Sequence, residues 1–170
     1  MTRAYLAFTE KGLALAQKLA SALPGTVARC GHGGPGLADW AAEQFAHADA
    51  LIFVGAVGIA VRAIAPHCQS KAQDPAVVVL DECGRFAVPI LSGHLGGAND
   101  LARALAAVCG AVPVITTATD ANGVFAVDAW ARHQNCAVLE PGRIKRVSSR
   151  LLAGGPVRYR SEFHIAGQAP

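Results

Sequence analysis

Ala50-Leu51-Ile52-Phe53-Val54-Gly55-Ala56-Val57-Gly58-Ile59-Ala60-Val61-Arg62 decides the fold class. Its first five residues are apolar without alternation, the pattern of a strand covered on both faces. Gly55 to Gly58 turns the chain into a short apolar helix, Ile59 to Ala65, which Pro66 stops. A second run of the same kind, Ala76 to Leu80, follows. Two buried strands with a helix between them form a β-α-β unit, and such a unit demands helices over a sheet.

The pattern extends upstream and downstream. Arg3 to Thr9 reads as a first strand and Lys11 to Ala22 as a helix, with Leu15, Leu19 and Leu23 forming one stripe before Pro24-Gly25 ends it. Thr26 to Arg29 is a short second strand. After the Gly31 to Gly36 loop, Leu37, Trp40, Ala41, Gln44 and Ala48 mark another helix. Beyond Leu80, Asp81-Glu82-Cys83-Gly84 reads as a tight turn and Phe86 to Leu91 as a return strand, so a hairpin is open here. Ala98 to Cys109 is helical and Val112 to Thr116 extended. The expectation is an α/β fold, a mainly parallel sheet with helices on both faces over residues 1–120. A small α/β appendage follows over residues 121–170. There, Val124 to Gln134 and Ile144 to Leu152 read as helices, and Ala137 to Leu139 and Val157 to Tyr159 as short strands.

Composition sets bounds on function. With 52% hydrophobic and 16% charged residues the chain can build a core and is not disordered. No apolar run reaches the roughly 18 residues of a membrane span, and Met1-Thr2-Arg3 leads into no signal-peptide core, so the expectation is a cytoplasmic protein with no membrane contact. Cys30, Cys68, Cys83, Cys109 and Cys136 are widely spaced and odd in number, which suggests buried reduced thiols and no zinc site. Charge is uneven: residues 1–120 hold 8 Lys/Arg against 9 Asp/Glu, and residues 121–170 hold 7 against 3. A basic tail suits a small polyanion, with Arg143, Lys145 and Arg146 at its centre. Nucleic acid would ask for a denser patch interleaved with aromatics.

Three glycine-rich turns follow strands: Gly31 to Gly36, Gly55 to Gly58, and Gly93-His94-Leu95-Gly96-Gly97. Such turns let the backbone approach a ligand and offer helix N–H donors to an anion, or they simply connect elements tightly. No turn matches a nucleotide motif, which disfavours an unrelated phosphate-binding domain. The last two turns are expected at the carboxyl ends of strands, where an open sheet binds ligands. His94, framed by glycines at a helix entrance, is the leading candidate for a general base. Ser92, Asn99 and Asp100 lie beside it, and Asp100 suits the helix dipole equally well. Asp81 and Glu82 are adjacent turn carboxylates, either solvated or functional. Thr116, Thr117 and Asp120 can hold ligand carboxylates or cap a helix. Arg62, on an apolar helix, needs an anionic partner. His32, His47, His67, His133 and His164 show no metal-ligand spacing, and Ser92 lacks the G-x-S-x-G setting of a hydrolase nucleophile.

Leu51 to Arg62, Asp74-Pro75-Ala76-Val77-Val78-Val79-Leu80-Asp81-Glu82 with Gly84-Arg85-Phe86, Pro89-Ile90-Leu91-Ser92-Gly93-His94-Leu95-Gly96-Gly97-Ala98-Asn99, and Pro113-Val114-Ile115-Thr116-Thr117-Ala118-Thr119-Asp120 occur in this order. Together they resemble the N-terminal domain of the CbiG family of anaerobic cobalamin biosynthesis. Phe125 to Ala131 and Ile144 to Val147 resemble the start of that family's central region. The resemblance implies opening of the δ-lactone of cobalt-precorrin-5A, release of acetaldehyde and formation of cobalt-precorrin-5B. No cofactor is implied, since the substrate, a polycarboxylate tetrapyrrole, carries the cobalt. The site residues follow from their chemistry and placement in the sequence: His94, Asp100 and Glu82 are the catalytic candidates. Gly55, Gly58, Arg62, Ser92, Gly96, Gly97, Asn99, Thr116, Thr117 and Asp120 bind substrate, with Gly96 and Gly97 N–H groups facing the oxyanion. Family members commonly carry a further C-terminal domain, so a separate subunit of that kind, or another enzyme of the pathway, is an expected partner. The alternative is a corrinoid-binding module completed by that subunit.

Overall fold

The computed structural model describes residues 1–70 and 73–162. The chain divides into two compact units, residues 1–115 and 116–170. The first unit runs β1 (Arg3–Ala7), α1 (Glu10–Ala22), β2 (Thr26–Arg29), α2 (Leu37–His47), β3 (Ala50–Val54), α3 (Val57–Ile64), β4 (Ala76–Leu80), β5 (Phe86–Leu91), α4 (Ala98–Cys109) and β6 (Val112–Pro113). One six-stranded sheet results, in the order β2-β1-β3-β4-β5-β6.

The four central and outer strands β1 to β4 run parallel. β5 reverses direction against β4, and β6 follows β5 in parallel. The mainly parallel sheet is therefore present, and the hairpin left open by the sequence is real. Its turn is built by Asp81, whose carboxylate accepts backbone N–H bonds from Cys83, Arg85 and Phe86 at 3.0, 2.9 and 2.8 Å. Gly84 supplies the positive φ of 65° that closes it.

Strand alternation divides the core. Tyr5, Ile52 and Val78 share one row and face Leu19 of α1 and Leu101 and Leu105 of α4. Leu6, Phe53 and Val79 face Trp40 of α2 and Ile64 of α3. Helices thus cover both faces, which explains why β3 and β4 carry no polar residue. Trp40 meets Phe53 edge-on, ring centroids 5.3 Å apart.

Several boundaries differ from expectation. Val112 to Thr116 yields only the two-residue β6. It is an edge strand, and neither Pro113 nor Pro89 of neighbouring β5 has an N–H to extend the ladder. The cysteines are not buried: Cys30 and Cys109 are half-buried and Cys68, Cys83 and Cys136 exposed, all five as free thiols.

The second unit carries α5 (Ala118–Ala121), α6 (Val127–His133) and α7 (Ile144–Leu152). Between the expected Thr116 strand end and the Val124 helix, residues 118–121 form the one-turn α5. No strand forms at residues 137–139 or 157–159. His164 lies outside the described residues. No helix among the described residues is long and apolar enough to cross a membrane.

Candidate functional site

The sheet of the first unit has two rims. At the carboxyl ends of β1, β3 and β4 sit Phe8-Thr9, Gly55 to Gly58 and the Asp81 turn. Because α1 covers one face and α2 the other, β1 and β3 flank the switch point of the fold, where an open sheet ordinarily binds its ligand. Here that crevice is closed from within. A Cβ added to Gly55 would stand 2.6 Å from Phe8 Cδ2, so glycine is what lets the Phe8 ring lie over the turn. Thr9 Oγ1 accepts the Gly12 N–H at 3.0 Å as the cap of α1 and donates to Glu82 Oε2 at 2.7 Å. Lys11 Nζ donates to Cys83 Sγ at 2.9 Å, and this bond raises the Lys11 pKa above its ordinary value.

Gly55 and Gly58, in the connection from β3 to α3, and Glu82, in the turn after β4, lie on this rim. Arg62 is exposed and its guanidinium turns back to the Gly58 carbonyl at 3.3 Å, a local helical contact. Burial pushes the Asp81 carboxyl up, but the N–H donors of Phe86, Cys83 and Arg85, with the Arg85 charge, outweigh it and hold the carboxyl below the usual range. Asp81 is a turn-former.

Ser92, His94, Gly96, Gly97, Asn99 and Asp100 lie at the opposite rim. The sequence expectation placed the Gly93 turn with the Gly55 turn at one crevice. Both do follow strands, but β5 is antiparallel, so its carboxyl end meets the amino end of β4: Leu91 pairs with Val77, and Ala87 with Leu80. The length of a five-residue strand, about 16 Å, separates Glu82 from the His94 loop. These two do not share a site in the first unit.

The opposite rim is a built structure. Between Val77 and Val78 the register shifts by one residue, leaving Ile90 as a bulge just before the loop. Ser92 then adopts φ 55° and is buried, its hydroxyl donating to the Asp74 carbonyl at 2.8 Å. Asp74 is itself buried, and its carboxylate accepts the backbone N–H groups of Gln69 and Ser70. The loop closes on itself: Gly97 N–H donates to the His94 carbonyl at 3.0 Å, Ala98 N–H to Ser92 at 3.1 Å and Asn99 N–H to Gly93 at 2.9 Å. The Gly97 N–H is thus engaged within the loop, away from the oxyanion role expected from its placement in the sequence. Gly96 packs on Ser92, where any Cβ would stand 2.5 Å from the Ser92 Cβ.

His94 is half-buried on this loop, ahead of the twelve-residue α4. Asp100 sits in the first turn of α4, where Arg103 Nη1 donates to its Oδ1 at 3.1 Å. Asn99 is 3% exposed. Sequence reasoning gave Asp74 no role at the site, although it opens the Asp74-Pro75-Ala76 motif; its carbonyl anchors Ser92. A cleft of about 380 Å³ opens beside Asp74, lined in part by Phe45, His67 and Gln69. The His67 ring rests on Phe45 there, centroids 5.8 Å apart.

Thr116, Thr117 and Asp120 belong to the second unit. Thr117, the residue before α5, donates from Oγ1 to Asp120 Oδ2 at 2.6 Å, and no side chain caps the helix's N–H groups. That unit also holds a cleft of about 700 Å³ along α7.

Residues 39–120 match the family model described as Cobalamin synthesis G N-terminal. Over this region the chain belongs to the CbiG family. A protein of Salmonella typhimurium named cobalt-precorrin-5A hydrolase is 47% identical over 144 residues, covering 78% of this chain and 40% of that protein. One of the same name from Priestia megaterium is 48% identical over 82 residues, 48% of this chain and 22% of the relative. This CbiG chain therefore spans less than half the length of the curated relatives it matches. A crystal structure of a cobalamin biosynthesis protein G homolog from Sulfolobus solfataricus superposes with a TM-score of 0.58 at 22% identity, over 96% of this chain and 51% of that one. That likeness supports the α/β fold of the CbiG chain.

Proposed function

We propose that this chain supplies the N-terminal part of a cobalt-precorrin-5A hydrolase of cobalamin biosynthesis. The substrate is a cobalt-bearing tetrapyrrole lactone, and the reaction gives cobalt-precorrin-5B and acetaldehyde. The observation that carries this reading is the 47% identity over 144 residues with a protein of that name. The loop at the end of β5 gives the reading its chemistry.

In this mechanism the neutral His94 imidazole takes a proton from water as the oxygen adds to the lactone carbonyl. The tetrahedral oxyanion forms toward the loop, where the Gly96 N–H is the donor proposed for it. Collapse breaks the ring C–O bond and leaves a carboxylic acid and an alkoxide. The alkoxide oxygen becomes the aldehyde oxygen as the bond to the macrocycle breaks, and the electron pair of that bond stays on the macrocycle carbon. His94⁺ delivers to that carbon the proton it took from water, which restores the neutral imidazole and closes the cycle. Residues 121–170 are, on this proposal, the start of the family's central region.

The test is acetaldehyde release from cobalt-precorrin-5A by the chain, alone and with the C-terminal portion of a relative added. His94→Asn should slow release by about 10²-fold, the scale of a lost general base, with circular dichroism unchanged. Turnover at the parental rate would remove His94 from the mechanism and leave Asp100 as the next candidate on that rim.

A further inference from the structure

The cleft along α7 combines cationic and apolar lining. Arg143, Arg146 and Arg150 line it together with Val147, Ser149, Pro156 and Val157. Spacings of three and four residues put the three arginines on one helix face. Arg143 is ion-paired with Glu140. Arg146 and Arg150 are exposed and have no ion-pair partner among the described residues. Like charges four apart on a helix repel and lower its stability, so helix stability does not account for the pair. The chain after α7 also holds Arg150 in place. Gly154 takes φ 71°, Gly155 N–H donates to the Arg150 carbonyl at 2.9 Å, and a Cβ at Gly155 would collide with the Arg150 guanidinium.

We propose that this cleft binds a macrocyclic polycarboxylic acid. The arginines hold two or more carboxylates in forked, charge-assisted bonds, and Pro156 and Val157 take the apolar edge of the ring. This goes beyond the hydrolytic assignment and rests on it only for the choice of a tetrapyrrole acid. A nucleic acid fits less well, because the lining holds no aromatic ring on which a base could stack. Lys145, which the sequence placed among the binding residues, lies on α7 but does not line the cleft.

The probe is uroporphyrin, an octacarboxylate tetrapyrrole, titrated by fluorescence into the 170-residue chain near 0.15 M salt. Saturable binding is expected. Arg146→Ala and Arg150→Ala should each weaken it by about tenfold, the worth of one charge-assisted contact. Lys145→Ala removes the same charge outside the cleft and should change affinity by less than about twofold at this screening. Equal losses for Lys145→Ala and Arg146→Ala would overturn the cleft in favour of diffuse charge. Cobinamide, whose ring carboxylates are amides, should not displace the probe; if it does, the ring and not its acids is recognised. Displacement by tripolyphosphate at concentrations matching uroporphyrin would overturn the choice of acid. Absent binding with normal acetaldehyde release would refute the cleft and leave the hydrolase assignment standing. Intact binding with no release in the supplemented assay would do the reverse.

Discussion

Gly96→Ala tests whether the His94 loop is held by its own packing. The added Cβ would stand 2.5 Å from Ser92 Cβ and 2.9 Å from Ser92 O. Both are well inside van der Waals contact, and Ser92 cannot retreat because its hydroxyl is tied to Asp74 and its carbonyl to Ala98 N–H. Such overpacking costs about 1–3 kcal/mol. Ser92→Gly removes the opposing Cβ. It loses the bond to Asp74, worth about 1–2 kcal/mol, and relieves a left-handed backbone that costs a residue with a Cβ about 1–2 kcal/mol, so alone it should be mild. The double variant should then be more stable than the sum of the singles by at least about 0.5 kcal/mol. The assay is urea unfolding followed at Trp40, in a Trp130→Phe background, since one tryptophan lies in each unit. With a slope near 2 kcal/mol per molar, a loss of about 2 kcal/mol moves the midpoint by about 1 M. A neutral Gly96→Ala, or strict additivity of the pair, would show that the loop yields freely and that Gly96 does not brace Ser92.

Gly55→Ala should cost about 1–3 kcal/mol by displacing Phe8 from the opposite rim; an unchanged Tm by circular dichroism would mean the ring swings clear at no cost. Asp81 gives a pH signature. Its folded pKa lies below the unfolded value near 3.9, so its stabilising contribution is complete above about pH 4 and disappears as pH falls through the lower folded value. Parent and Asp81→Asn should therefore differ in stability at neutral pH and converge as pH falls through the lowered folded value; curves that stay parallel throughout an acid titration would remove Asp81 from the turn's energetics.

The strands β3 and β4 were legible to the residue, because burial on both faces leaves no room for a polar side chain at Ala50–Val54 or Ala76–Leu80. The helix α4 was legible from Leu101, Leu105 and Val108 together with the glycines at either end. The position of the His94 loop was not. The Asp81-Glu82-Cys83-Gly84 turn announces a reversal, yet its consequence, that every later strand end faces the other way, is a property of the sheet and of no residue in the loop. The one-residue bulge at Ile90 was equally hidden, since it exists only relative to the pairing with β4. The tail strands failed for a related reason: an apolar triplet such as Ala137 to Leu139 becomes a strand only beside a partner, and Leu139 stands 92% exposed. At the candidate site the glycines and His94 were visible as types. The bond from Ser92 to Asp74, eighteen residues away, required the fold.

The reversal at β5 also changes how chemical labels can be used on this chain. Cys83 is exposed at the tip of the hairpin, and it is a strand's length from Ser92. A thiol-reactive dye placed there, after the other accessible cysteines are replaced, would sit on the same rigid ladder as the His94 loop without crowding it. Its emission would report the integrity of the sheet, and the loop would stay open to substrate while it was read.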